Sequence, residues 1–184
     1  MSSSPYAAIQ DFVAGLPELV QPLMIGLVGM IPYVEGEGSV AIGILVGINP
    51  IVATIAAIVG NVLAVAGVVL LTSRVRSAVV AQRGADRSGN TGDGSPDASS
   101  PETRPESRKE KGRKKIAKWV VRFGVPGASI LAPIALPTHL TAAFLVGSGV
   151  SRGWVMLWQI VAIVLWTSLV AAASFGAASL LGLI

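Results

Sequence analysis

The chain has 184 residues, 52% of them hydrophobic and only 13% charged, with a mean hydropathy of +0.69. A soluble domain carries about 25% charged residues, so this composition points to lipid as the main solvent. With no cysteine and one histidine, disulfides, thiolate chemistry and Cys- or multi-His-ligated metals are excluded.

Residues 1–16 read as an N-terminal interfacial segment. No basic residue precedes Arg74, so the basic start of a secretory signal is missing and the first apolar segment is expected to stay in the protein. Residues 17–72 form a first repeat. Its first part, 17–47, is an apolar hairpin interrupted around Pro32. Its second, 50–72, is a run without charge, which at about 1.5 Å per residue covers a hydrocarbon core of about 30 Å. Whether 17–32 turns back or crosses stays open at this point.

Residues 73–115 form a basic loop. Between Arg74 and Lys118 lie twelve cations and six acids, an excess of six cations, so the chain's net charge of +4 comes from this stretch. From about Gln82 to Glu110 it is rich in Gly, Ser, Pro and Asp, and is expected to be disordered. The excess of Lys and Arg beside a span assigns residues 73–118 to the cytoplasmic side of the cell membrane of a multi-pass protein. Residues 111–123 turn from basic to amphipathic, as a helix entering from a charged leaflet would, with Trp119 at the interface. A nucleic-acid partner is not expected, because the cations form one loop beside a membrane anchor.

Residues 116–184 form the second repeat: a hairpin at 119–149, broken by Pro126, Pro133 and Pro137, and a span at 153–184. Trp154 reads as an interface anchor, and Trp158 and Trp166 as packing. Sliding the chain by 102 residues lays Pro17–Gly47 on Trp119–Gly149, Glu35 on Pro137, Glu37 on His139 and Ser39 on Thr141. The expected fold is therefore all-α and membrane-integral, with two inverted repeats, each a re-entrant helical hairpin plus one transmembrane helix, as in many secondary transporters. The alternative is a chance alignment of two proline-interrupted apolar stretches.

The polar residues amid this apolar sequence are the candidate site. Pro32, Gly36 and Gly38 predict a broken, partly extended backbone around Glu35 and Glu37. On an extended backbone positions i and i+2 face the same way, and two carboxylates on one side suit a group that takes up and releases a proton. Buried acids in a membrane segment are functional by default; an exposed interfacial turn is the competing reading. Pro133 and Pro137 make the counterpart break, where Thr138, His139 and Thr141 supply donors and acceptors, and an imidazole can exchange a proton. Asn61, halfway along the first span, needs a partner at that depth, either as a substrate contact or as helix–helix glue. Gly36, Gly38 and Ala41 match G-x-G-x-x-A, but no strand precedes them, so a dinucleotide site is rejected. No metal site, cofactor or enzymatic constellation is expected.

The run Ile31 to Ser39 with Pro32 and Glu35, then Ala41 to Ile44 and the Gly60–Asn61 pair, resembles the small multidrug export family. So do Arg122 to Gly127 and the proline pair Pro133 and Pro137 in the second half. The resemblance covers about Glu18–Leu71 and Ile116–Ala173. More distantly the chain is similar to DedA/VTT-type, SNARE-associated-like membrane proteins. It implies a proton-coupled exporter of small amphipathic compounds or, alternatively, a DedA-like flippase or scramblase of lipid carriers. A non-transporting membrane scaffold is the reading from another class. The family's arginine after the first glutamate is replaced here by Gly36, Glu37 and Gly38, which suits protons or cations better than a phosphate. The expected partners are membrane lipids, the transported species and a second copy of the chain in a homodimer.

Overall fold

The computed structural model describes residues 5–88 and 124–182, all of whose regular elements are helical. Those elements are α1 (Pro5–Ala14), α2 (Gln21–Gly29), α3 (Glu35–Leu45), α4 (Pro50–Ser88), α5 (124–131), a single 3₁₀ turn (Ala132–Ile134), α6 (Thr138–Gly147) and α7 (Arg152–Leu180). The loop from 89 to 115 and the amphipathic segment at 111–123 lie outside the described residues.

Two long helices form the axis. α4 starts where Asn49 and Pro50 predict a helix start. The Asn49 carboxamide oxygen accepts the Ile51 and Val52 amides at 3.0 and 3.4 Å, and Pro50 gives up an amide that would have no partner there. The helix does not end at Thr72. It continues to Ser88, into the stretch expected to be loop, because Arg, Ala and Gln are good helix formers whatever their polarity. Pro50–Gln82 and Arg152–Leu180 are both long and apolar enough to cross a membrane. Only 28% and 33% of their most apolar windows is buried inside the protein. Leu63, Leu70, Leu157, Val164 and Leu169 face outward. A core helix of a water-soluble domain turns such residues inward; a helix that is apolar all round fits a membrane.

The packing separates into two apolar clusters. The first joins Val13, Ile25, Val28, Val40 and Ile44 to Ala53 and Ala57 of α4 and to Ala171 and Ala178 of α7. The second joins Val65 and Val69 of α4 to Val125, Leu145, Val155 and Ile163. The early part of α4 thus meets the late part of α7 and the reverse, so the two helices run antiparallel. α2 and α3 pack beside the start of α4, and α6 beside its later turns.

Small residues set the closest approach. Gly60 of α4 lies directly against the backbone of Gly26 in α2, so a Cβ at Gly60 would overlap it. One turn on, Gly29 meets the Ala57 carbonyl and the Ser39 hydroxyl, each 3.0 Å from where its Cβ would stand. Helices without a solvent-driven hydrophobic force between them associate through such contacts.

The two helix pairs also end alike. Gly47 and Gly149 adopt left-handed backbones, with φ of 95° and 102°. Ile48 N–H donates to the Gly43 carbonyl and Val150 N–H to that of Leu145. This is the Schellman end of a helix, and it recurs at the same 102-residue spacing. The next helix begins three residues after each glycine.

Candidate functional site

The turn between α2 and α3 and the stretch between α5 and α6 meet where Glu35 reaches Thr138 and His139. Pro32 lies in the first and Pro137 immediately before α6, as the sequence predicts. Gly36 and Gly38 do not break the chain. They lie inside α3, which begins at Glu35, and the break falls at residues 30–34. The extended backbone expected to set Glu35 and Glu37 on one side is absent, since both lie at the start of α3, yet the two residues do line one cavity. The glycines serve packing. A Cβ at Gly36 would strike the Thr167 hydroxyl of α7, and one at Gly38 would stand 3.0 Å from Val34 Cγ1 and 3.3 Å from Tyr6 Cε1.

Glu35 is the joint. Its Oε1 accepts the Thr138 backbone amide at 2.7 Å and lies 2.9 Å from His139 Nδ1. All three residues are buried. α6 has no side-chain cap of its own, so the carboxylate of another helix supplies the acceptor its first turn lacks, where the helix dipole favours negative charge. The oxygen that accepts the amide proton also accepts from the imidazole in the tautomer with hydrogen on Nδ1, which leaves Nε2 with a lone pair. Nε2 is buried and has no hydrogen-bond partner among the described residues. Tyr33 and Glu35 have φ of 73° and 51°, a backbone region that costs a non-glycine residue about 1–3 kcal/mol and clusters at functional sites.

Beside this joint lies a cavity of about 370 Å³, lined among others by Tyr6, Tyr33, Glu35, Glu37 and Trp166. The Glu37 Oε1 is buried without a partner among the described residues. Trp166 is fixed by its indole N–H, which donates to the Ile130 carbonyl at 2.9 Å.

Of the other residues singled out in the sequence, Thr138 offers a buried hydroxyl and Asn61 a fully buried carboxamide, both without a partner among the described residues. Asn61 lies in the buried α4 row Ala53, Ala57, Asn61, Val65 and Val69, between the first cluster and the second. It forms no hydrogen bond with the hairpin tips. Thr141 turns back on its own helix, 3.4 Å from the Pro137 carbonyl. Pro133 lies in the 3₁₀ turn.

Two polar residues outside the sequence-predicted set belong to the same interior. Thr167 lies in the matching α7 row Val155, Gln159, Ile163, Thr167 and Ala171, again between the two clusters, and its hydroxyl has no partner among the described residues. Gln159 lies two turns away, 3.4 Å from the Ser129 hydroxyl. The signal for both is present in the chain: they are polar residues at an eight-residue spacing in an uncharged span.

Among the described residues no group of three or more His, Cys, Asp and Glu side chains could hold a metal ion. Compared with known proteins, the chain matches no family model, no curated sequence and no solved structure.

Proposed function

We propose that the chain is a multi-pass membrane protein and a secondary transporter of the small multidrug export type. In this reading α4 and α7 cross the bilayer, and α2–α3 and α5–α6 are re-entrant hairpins of two inverted repeats. The site lies where the hairpin tips touch. One observation carries the reading: a buried carboxylate, Glu35, joins the two tips through the Thr138 amide and the His139 imidazole. An ionisable pair kept inside an apolar bundle is costly, and inside membranes such pairs mark ion and substrate paths.

Three further features support it. The outward faces of both long helices are apolar. Those helices run antiparallel, and matching helix ends recur at one spacing, as an inverted duplication requires. Residues 30–33 and 135–136 are exposed, but the breaks end inward, with Val34 half-buried and Pro137 buried beside Glu35 and Thr138, and protein cover is what lets non-helical structure persist at membrane depth.

Proton exchange then acts on the joint itself. With Glu35 ionised, its Oε1 holds both the α6 amide and the imidazole. Neutralising that carboxylate weakens the two charge-assisted hydrogen bonds that tie one hairpin to the other. Glu37, which lines the same cavity and keeps one oxygen without a partner among the described residues, is the group that meets the passenger. Proton uptake and release of the passenger are linked because both act on neighbouring carboxylates at the start of α3.

Purified protein in sealed vesicles with an interior pH dye tests this. Candidate substrates added outside should drive proton movement that is lost in Glu35→Gln and in Glu37→Gln. Proton movement unchanged in both variants would remove the reading. Redistribution of labelled lipid with no soluble substrate would favour the flippase alternative.

A further inference from the structure

We infer that the interior level shared by Asn61, Thr138, His139 and Thr167 is a bound-water site, whose water exchanges a proton with His139 Nε2. The inference rests on the transport reading only for the use made of that proton.

Packing registers bring the four residues to one level. Gly43 of α3 meets Ala53 of α4, and Gly29 meets both the Ser39 hydroxyl and the Ala57 carbonyl. The two helices thus run in opposite directions, and one further turn brings Glu35 level with Asn61. Thr167 of α7 is at the same height, because its hydroxyl lies against Gly36. α6 starts there, on the Glu35 carboxylate, and then follows α4 until Gly147 meets Thr72.

Five polar side-chain atoms at this level are buried and have no partner among the described residues. They are both ends of the Asn61 carboxamide, the Thr138 and Thr167 hydroxyls, and His139 Nε2. The four residues are at most 6% exposed, and none of them lines the cavity beside Glu35. A buried donor or acceptor left dry keeps its full desolvation cost.

The mixture of donors and acceptors selects water. The Asn61 nitrogen donates and its oxygen accepts, each hydroxyl does both, and Nε2 accepts while the hydrogen is on Nδ1. A metal cation would turn its charge on the amide hydrogens, and an anion would face the carboxamide oxygen and the Nε2 lone pair. Water answers every one of these groups, and a buried water makes about three hydrogen bonds to groups of this kind.

A proton relay follows from the two edges of the ring. Nδ1 faces Glu35, and Nε2 is on the other edge. A hydrated proton that reaches Nε2 leaves water behind and makes the imidazolium. Nδ1 then passes its hydrogen to Glu35 Oε1. The products are a neutral carboxyl group and the other imidazole tautomer, and the reverse steps restore the start. The proton thus reaches Glu35 through the interior, apart from the passenger's cavity. Gln159, two turns along α7 toward Arg152, keeps a further buried oxygen without a partner among the described residues.

Because the chain has one histidine, labelling histidine with heavy nitrogen gives a single imidazole to follow by NMR. In the full-length protein in detergent, magnetisation is expected to pass from water to this ring. The transfer should fall about threefold or more in Asn61→Leu and in Thr138→Val, which remove partners of the water. Thr138→Ser keeps the hydroxyl and should stay within about twofold of the parent. A ring that receives nothing from water would overturn the inference, as would transfer that survives Asn61→Leu and Thr138→Val together. In sealed vesicles, Asn61→Leu should lower substrate-driven proton movement about tenfold or more with a melting temperature no lower than the parent's. Movement lost in Glu35→Gln but intact in Asn61→Leu and Thr138→Val would remove this inference and leave the transport reading. Water transfer that needs Asn61 and Thr138, with no proton movement under any substrate, would keep the water site and remove the transport reading.

Discussion

Glu35 and Thr138 are 103 residues apart in the chain, yet a carboxylate oxygen of one accepts the backbone amide of the other at 2.7 Å. A glutamate at the start of α3 thus caps the start of α6. The same oxygen meets His139 at 2.9 Å, so one atom holds two turns that nothing else hydrogen-bonds together among the described residues. The two hairpin tips are therefore held through a single side chain.

Removing that atom leaves the buried Thr138 amide and His139 Nδ1 without an acceptor. Glu35→Ala is expected to destabilise the protein by about 3–5 kcal/mol, the cost typical of breaking a buried pair. Glu35→Gln keeps an acceptor oxygen and should cost less than half as much. Thermal unfolding in detergent distinguishes them; equal melting temperatures for the two variants would contradict the capping role.

Gly36 and Thr167 form a tight pair across the bundle, since a methyl group at Gly36 would strike the Thr167 hydroxyl. Gly36→Ala should cost about 1–3 kcal/mol through overpacking. Adding Thr167→Ala should recover at least about 0.5 kcal/mol of that loss, a coupling expected for residues in contact. Strict additivity in the double-mutant cycle would show that the helices do not meet there.

Glycines along α4 should respond very differently. Gly60→Ala forces the added Cβ into the Gly26 backbone, which cannot move aside without shifting α2. It should lower the melting temperature sharply or prevent folding. Gly67→Ala has open space and should be neutral or stabilising by up to about 1 kcal/mol, as glycine is a poor helix former. Detergent-solubilised yield and melting temperature report both.

Much of this fold is legible in the amino-acid sequence. Length and lack of charge locate the two long helices, and Pro32, Pro133 and Pro137 mark the interruptions. The 102-residue slide that aligns Gly47 with Gly149 anticipates two matching helix ends, because a left-handed glycine after an apolar run is a specific backbone signal. What sequence does not supply is which side chain answers which. Gly36 and Gly38 read as breakers because glycine lowers helix propensity. In the fold, close packing against Thr167, Val34 and Tyr6 outweighs that preference. The paired carboxylates do come to one cavity, but from a helix start and not an extended strand: Glu35 is committed to the joint, and Glu37 keeps one buried oxygen without a partner among the described residues. Tyr6, Tyr33 and Trp166 look like ordinary apolar residues, and only tertiary packing gathers them round one cavity. The helix that carries the span at 50–72 runs on to Ser88, because membrane length and helix length are separate quantities.

Asn61 separates structure from function. Its carboxamide is fully buried and has no hydrogen-bond partner among the described residues, so Asn61→Leu should stabilise the fold by about 1–2 kcal/mol by removing an unsatisfied polar group of similar size. If Asn61 also contacts the passenger, the same variant should lose substrate-driven proton movement, a trade common at functional sites. A stable variant with full transport would reduce Asn61 to packing.

The central claim is that α2 and α3 dip into the membrane and return while α4 crosses it. Because the chain contains no cysteine, single cysteines can be placed at three exposed positions, Glu18, Asn49 and Ser148. Ser148 lies at the end of the bundle where Gly149 meets the Arg76 guanidinium. Labelling from each side of sealed vesicles with a membrane-impermeant maleimide should find Glu18→Cys and Asn49→Cys on one side and Ser148→Cys on the other. Glu18→Cys and Asn49→Cys on opposite sides, or Asn49→Cys and Ser148→Cys on the same side, would contradict the account.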